Sequence, residues 1–270
     1  MDRIRKALDM ARQQRATLGS GAQAAPQPSR ASKLPVSLAD IAYTETQVFQ
    51  PEAGILEASR IVNPSSRDPA AAAFRMLRTQ VMQRMDENGW RSVAVLSPGT
   101  DDGKTTTAAN LAVSLANDRH HTALLVDCDL KRPAIAGLFG IAPEYGVDDV
   151  LRGEAQIGRC LHHPEGFDRL VILPARGPLE HSSETLAGPR GRSLMSDLRG
   201  RYPDRIIVLD LPPVLEADDA LAFLPQIDCA VVVVAERATR RDDLLRCMEL
   251  LHKTPILGTV LNKATVSTHG

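Results

Sequence analysis

Apolar residues recur along this chain in two ways, as short continuous runs and as longer stretches with helical spacing. The runs at 93–96, 122–126, 170–173, 206–209, 229–234 and 256–261 predict strands, and those at 93–96 and 229–234 read as buried. Between them, helical spacing predicts helices that open at Thr105 and cover 184–199, 217–224 and 242–252, the last with Leu244, Met248 and Leu251 inward. A further helix over 69–87 carries Phe74, Leu77, Val81 and Met85 as its inward stripe, and Asn88-Gly89 ends it. Strands alternating with helices predict an α/β architecture, a mostly parallel sheet with helices on both faces.

The pattern weakens towards the N-terminus. Residues 1–18 place Ile4, Leu8, Ala11 and Leu18 along one side, with Arg3, Arg5, Lys6, Arg12 and Arg15 outweighing Asp2 and Asp9. That fits a short amphipathic helix, either docking on a partner or anionic surface or solvated and frayed. Residues 19–63 begin rich in Gly, Ala, Gln, Pro and Ser and read as a flexible linker, so 1–63 forms an N-terminal arm. The organised domain is expected over 64–270.

Composition narrows the function classes. The 270 residues carry a formal net charge of −1, which offers no electrostatic case for nucleic-acid binding. No run reaches the ~18 to 20 apolar residues of a membrane span, and the charged start lacks a signal peptide's apolar core, so a cytoplasmic location is expected. The four cysteines show no C-x-x-C spacing and read as reduced, structural thiols. Cys160 with His162 and His163 makes a poor zinc set.

The chemistry concentrates in VAVLSPGTDDGKTTTAANLAVSLA, at 93–116. A strand, a Gly-containing turn and a helix start present backbone N–H groups and a helix dipole to an anion. This is a Walker A phosphate loop with Pro98 where the first glycine usually stands and Gly99 one residue later. Gly99, Thr100, Asp101, Asp102, Gly103, Lys104, Thr105 and Thr106 form the expected nucleotide cradle. Lys104 supplies charge for the β- and γ-phosphates, and Thr105 a hydroxyl for Mg2+. The side chains of Asp101 and Asp102 are expected to face solvent, away from phosphate charge.

Carboxylates stand at the carboxyl ends of apolar runs: Asp127 and Asp129 after one, Asp210 in Leu209-Asp210-Leu211-Pro212-Pro213 after another. Such a carboxylate near phosphates can hold Mg2+ directly or through water, and a second can accept a proton. Taken singly, each would be an ordinary cap or turn former.

These motifs resemble those of the bacterial tyrosine kinases (BY-kinases) of capsule and exopolysaccharide assembly, a branch of the partitioning-type P-loop ATPases. SPGTDDGKTT resembles their phosphate loop, LLVDCDLKRP at 124–133 their Walker A′ motif, and IIVLDLPPV at 206–214 their Walker B motif. The resemblance covers about 61–264. It implies a P-loop NTPase fold and an ATP-dependent protein-tyrosine kinase with ATP and Mg2+ as cofactors. It further implies self-association, a membrane polysaccharide co-polymerase as activator, and a peripheral place at the inner membrane through that partner. Carried over by motif, the catalytic set is Lys104, Asp127, Asp129 and Asp210. Thr105, Asp127 and Asp210 fall to the metal, and Asn262 would face the adenine.

The departures from the family are specific. Lys131 stands where its D-x-D-x-R motif ends in arginine. Its E-x-x-R-x-x-R oligomerisation helix retains Arg75 and Arg78, with Ala72 replacing the glutamate. After Asn262 only KATVSTHG follows, without a tyrosine cluster, and the chain's tyrosines are Tyr43, Tyr145 and Tyr202. Two functions therefore stay open: the kinase, and a nucleotide-dependent switch that assembles with the export machinery and is released by hydrolysis. A Min/Par-type partitioning ATPase is disfavoured, because that group's signature lysine would fall at Gly99.

Overall fold

The computed structural model describes residues 46–201 and 204–264. Its strands are β1 (Gln47–Phe49), β2 (Ser92–Leu96), β3 (Thr122–Asp127), β4 (His162–Pro164), β5 (Leu170–Leu173), β6 (Arg205–Asp210), β7 (Cys229–Ala235) and β8 (Ile256–Asn262). They form one sheet in the order β1-β4-β5-β3-β6-β2-β7-β8. Every neighbouring pair is parallel except β4 with β5. The mostly parallel α/β fold expected from the apolar runs is the one observed.

Side-chain alternation along the central strands divides the interior into two cores. Val93 and Val95 of β2 and Leu125 of β3 enter one of them. Helices α2 (Pro69–Asn88), α3 (Lys104–Ala116) and α4 (Ile135–Phe139) cover it, through residues such as Met85, Leu111 and Phe139. Ala94, Leu96, Leu124 and Val126 enter the other. There the cover is α5 (Val147–Arg152), α6 (Ile157–Cys160), α7 (Ser182–Ala187), α8 (Pro189–Arg201), α9 (Asp219–Phe223) and α10 (Arg241–Leu250). Strands buried on both faces need no polar alternate, which is why β2, β3, β6 and β7 read as unbroken apolar runs.

Local chemistry sets the ends of α2. Asp68 accepts a hydrogen bond from Ala70 N at 2.7 Å, Pro69 occupies the first helical position, and Gly89 closes the helix at φ 68°. Val81 and Met85 are buried, and each buried side chain of this size contributes roughly 1.5–3 kcal/mol.

Four expectations are corrected. The linker expected over 19–63 extends too far, since β1 pairs with β4 and a helix, α1 in position (Ala53–Ala58), packs Leu56 against the core. Three-residue strands such as β1 and β4 are too short to show a period. The helix over 184–199 is instead α7 and α8, parted at Gly188 in extended backbone (ψ −175°). Pro189 lacks an N–H and disfavours helix at the residue before it. The inward stripe of α10 is Cys247 and Leu251 with Leu244 beside them, while Met248 is exposed. Cys247 completes the three-then-four spacing that Met248 misses. Finally, the phosphate-loop helix begins at Lys104, one residue before Thr105. The amphipathic segment 1–18, most of the linker, Tyr43 and Tyr202 lie outside the described residues.

Candidate nucleotide site

Parallel register brings the chemistry to one edge. β3 and β6 are adjacent with Asp127 opposite Asp210, and β6 lies beside β2, with Val95 opposite Asp210. The loop leaving β2 therefore passes over both strand ends, where ligands bind in open α/β sheets.

The loop's turn requires its glycine. Gly103 sits at φ 88°, and a Cβ there would collide with the Asn262 side-chain amide. Asp101 also lies in the left-handed region, at φ 61°. Ser97 donates its hydroxyl to Gly99 O, and Thr107 donates to Gly103 O at 2.8 Å. Thr106 contributes its carbonyl to Asn110. The first N–H groups of α3 have no intrahelical acceptor and are open to an anion.

Lys104 is buried, only 8% exposed. Its Nζ lies 2.7 Å from Asp129 Oδ2, 3.5 Å from Asp210 Oδ1 and 3.1 Å from Thr105 Oγ1. Burial alone would lower the ammonium's pKa, but the Asp210 and Asp129 carboxylates outweigh it and raise it. Asp127 Oδ2 accepts from Ala134 N and Ile135 N, both at 3.0 Å. Burial, then the neighbouring Asp210 charge, pushes the Asp127 carboxyl up to about 8 against those N–H groups and Lys104. Asp210 is also raised, chiefly by burial, against the opposing pull of Lys104 and the Thr105 hydroxyl.

Asp127 Oδ1 and Asp210 Oδ2 are buried without a hydrogen-bond partner. Two orphaned carboxylate oxygens beside a threonine hydroxyl fit Mg2+, which takes few protein ligands and keeps several waters. Among the described residues no group of three or more His, Cys, Asp or Glu side chains is placed to hold a metal ion. Cys128, between Asp127 and Asp129, has its thiol pKa pushed well up, first by burial and then by these acids.

The remaining loop residues differ from expectation in instructive ways. Asp102 does not face solvent. It is 4% exposed, accepts from Gly99 N at 3.2 Å and takes the Thr239 hydroxyl, so it braces the loop from behind. Asp101 is exposed as expected, and its carbonyl accepts from Lys263 Nζ at 2.6 Å. Asn262 donates to Asp102 O at 2.9 Å, which puts it against the loop's backbone. Thr100 N donates to Glu216 Oε1 at 2.7 Å. Glu216, Thr239 and Lys263 were not among the expected site residues, because a lone residue outside the loop gives no spacing signal.

The family departures also have local partners. Lys131 pairs with the fully buried Asp219 at 2.7 Å, and Arg132 with Glu216 at 2.9 Å. Arg75 donates to Pro64 O and Ser66 O, and Arg78 to Ser114 O, all within this chain.

Comparison with known proteins places this geometry. Residues 93–270 match the model of the CobQ/CobB/MinD/ParA nucleotide binding domain. The chain is 32% identical over 244 residues to the succinoglycan biosynthesis transport protein ExoP of Rhizobium meliloti (strain 1021), covering 86% of this chain and 29% of that protein. With the tyrosine-protein kinase YwqD of Bacillus subtilis (strain 168) it shares 27% identity over 199 residues, covering 73% of this chain and 82% of YwqD. The crystal structure of the VpsO kinase domain superposes with a TM-score of 0.63 at 30% identity, covering 73% of this chain and 96% of that domain. The chain thus spans less than a third of ExoP and nearly all of an isolated kinase domain.

Proposed function

The chain belongs to the CobQ/CobB/MinD/ParA nucleotide-binding family, and from that premise we propose that it is an ATP-dependent protein-tyrosine kinase of exopolysaccharide or capsule biosynthesis. One observation carries the reading: a buried phosphate-loop lysine held on Asp129 and Asp210, beside unpartnered oxygens of Asp127 and Asp210.

Each residue has a distinct task. The backbone N–H groups from Gly99 to Thr106 bind the phosphates, and Lys104 transfers its ammonium from Asp129 to the β- and γ-phosphates. Thr105, Asp127 and Asp210 would hold Mg2+, which when bound supplies charge neutralisation at the phosphates. Release of Lys104 leaves Asp129 with a free carboxylate near the phosphate end, placed to accept the proton of an attacking hydroxyl. Asn262 steadies the loop and borders the adenine side. Phosphoryl transfer asks for little covalent work from the protein, so positioning and charge do most of it.

Among the described residues the tyrosine to weigh as acceptor is Tyr145. Tyr145 is half-buried with the Arg159 guanidinium 4.3 Å from its ring centre, a poor substrate for another active site. Tyr43 is the acceptor we assign, reached between subunits of a homo-oligomer. Activation by a membrane polysaccharide co-polymerase would place the protein at the cytoplasmic side of the inner membrane. No helix among the described residues is long and apolar enough to cross a membrane itself.

Incubation with γ-labelled ATP, followed by separation of phosphoprotein from free phosphate and phosphopeptide mapping, tests this. The kinase reading expects label on Tyr43. Label on Tyr145 or Tyr202 alone refutes that acceptor. The same cradle would serve transfer to water, so a second reading is an ATPase switch on the export machinery, which expects steady free phosphate and no phosphotyrosine.

A further inference from the structure

A carboxylate with no place in the three nucleotide motifs occupies the phosphate loop. Glu216 lies beyond the Pro212-Pro213 pair that follows Asp210, and that segment is joined to the root of the loop. Val214 N donates to Ser97 O at 2.9 Å and Leu215 N to Pro98 O at 3.2 Å. The Glu216 side chain is thereby fixed over the loop, where Oε1 takes Thr100 N at 2.7 Å. Its other oxygen takes Arg132 Nη2 at 2.9 Å, from the segment that carries Asp129. Glu216 also lines a cavity of about 340 Å³ beside the loop, whose walls include Gly99, Thr100, Asp102, Thr239 and Lys263. A backbone N–H of the phosphate loop and an arginine are thus both engaged by one carboxylate.

We infer that Glu216 is a carboxylate latch that holds the phosphate loop in its nucleotide-free arrangement and must be displaced when a nucleoside triphosphate binds. The inference rests on the nucleotide-binding reading of the site and adds a regulator to it. A carboxylate satisfies the same donors that phosphate oxygens would, and its charge repels incoming phosphates. Burial pulls its pKa upward, but the Thr100 N–H and Arg132 together outweigh it and hold the carboxyl below the usual range, so it is charged at neutral pH. Displacement releases both Thr100 N–H and Arg132, so nucleotide binding also loosens the contact between the Asp129 segment and the segment after Asp210. Lys131 keeps its separate hold on Asp219, so those segments remain tethered while the latch opens.

The test is titration calorimetry with a non-hydrolysable ATP analogue and Mg2+ on the full chain, using wild type, Glu216→Gln, Glu216→Ala and Asp243→Asn. Asp243 lines the same cavity and controls for loss of one negative charge. If the latch is closed in roughly nine molecules of ten, opening it tightens apparent binding by roughly tenfold. Both Glu216 variants should show that gain, and Asp243→Asn a clearly smaller one. Unchanged or weaker binding in the Glu216 variants overturns the latch, as does an equal gain in Asp243→Asn, which would mean charge alone. If wild type and every variant bind no nucleotide, the nucleotide reading itself fails and the latch with it.

Discussion

The two ends of the central sheet carry the same residue types in opposite condition. At the carboxyl end, Asp127 and Asp210 are buried, each has an oxygen without a partner, and their pKa values are raised. At the amino end, Asp228 sits before β7 and accepts from Arg91 N, Ser92 N and the Ser92 hydroxyl at 2.8–2.9 Å, with Arg199 Nη2 at 2.8 Å. Its pKa is lowered, because these donors overcome the upward effect of burial. A satisfied carboxylate network is a joint, here tying β2, β7 and α8 together. A pair of unsatisfied ones is destabilising by itself and makes physical sense only beside a ligand that completes it. The presence of buried charge does not mark the site; its incompleteness does.

The largest effect expected from this contrast is at Lys104. Lys104→Ala should reduce nucleotide turnover by roughly 10²–10³-fold or more, the scale for loss of a group that stabilises transition-state charge. Because Lys104 is buried against Asp129 and Asp210, and is not an exposed loop side chain, the variant should also melt lower without nucleotide. Steady-state phosphate release and a thermal scan measure both, and unchanged turnover would remove Lys104 from the phosphates.

Next come Asp127→Asn and Asp210→Asn. Each should cut turnover by roughly 10²-fold, with partial rescue at high Mg2+ for at least one, since an amide binds a hard cation more weakly than a carboxylate. Unlike Lys104→Ala, Asp127→Asn should retain or gain nucleotide-free stability, because a neutral isostere replaces a buried carboxyl whose pKa is raised, whereas Asp210→Asn also weakens the hold on Lys104. Loss of stability without loss of turnover would move both residues into the structural class with Asp228.

How much of this was legible in the sequence follows from the same physics. Five of the six longer strands were readable because double-sided burial leaves continuous apolar runs, the half-exposed β8 from its sequence run alone, and the phosphate loop because Gly103-Lys104-Thr105 opens a helix directly after a strand. β1 and β4 were not, since three residues cannot display a period. The break between α7 and α8 was written in Pro189 yet masked by the helical stripe on either side. At the site, the strand-end acids announced themselves by position. Asp102 was not legible, because repulsion from phosphate alone would turn it to solvent, whereas its side chain turns back to Gly99 N and Thr239. Glu216 gave no signal, because its meeting with Thr100 depends on how β6 lies beside β2.

A smaller effect is expected at the amino end. Asp228→Asn should leave turnover near wild type while lowering stability by about 1–3 kcal/mol, the scale of a partly buried, charge-assisted network that loses one partner. Thermal or denaturant unfolding at neutral pH reads the loss, and a steep fall in turnover would break the division between joint and site.

The smallest effect is the pH dependence of that same difference. Asp228 has a folded-state pKa below the ordinary aspartate value of 3.8. In the unfolded chain it therefore takes up a proton first as acid is added. Its contribution to stability is present in full above that ordinary value and is lost as pH falls through the lower folded-state one. Asparagine at 228 cannot titrate, so the melting-temperature gap between wild type and Asp228→Asn isolates this group from every other carboxylate. The gap should be constant from neutral pH down to about 5 and should narrow below about 4. A gap that instead closed on raising the pH above neutrality would mean that Asp228 behaves like the raised acids at the opposite end of the sheet, and the contrast between the two ends would not hold.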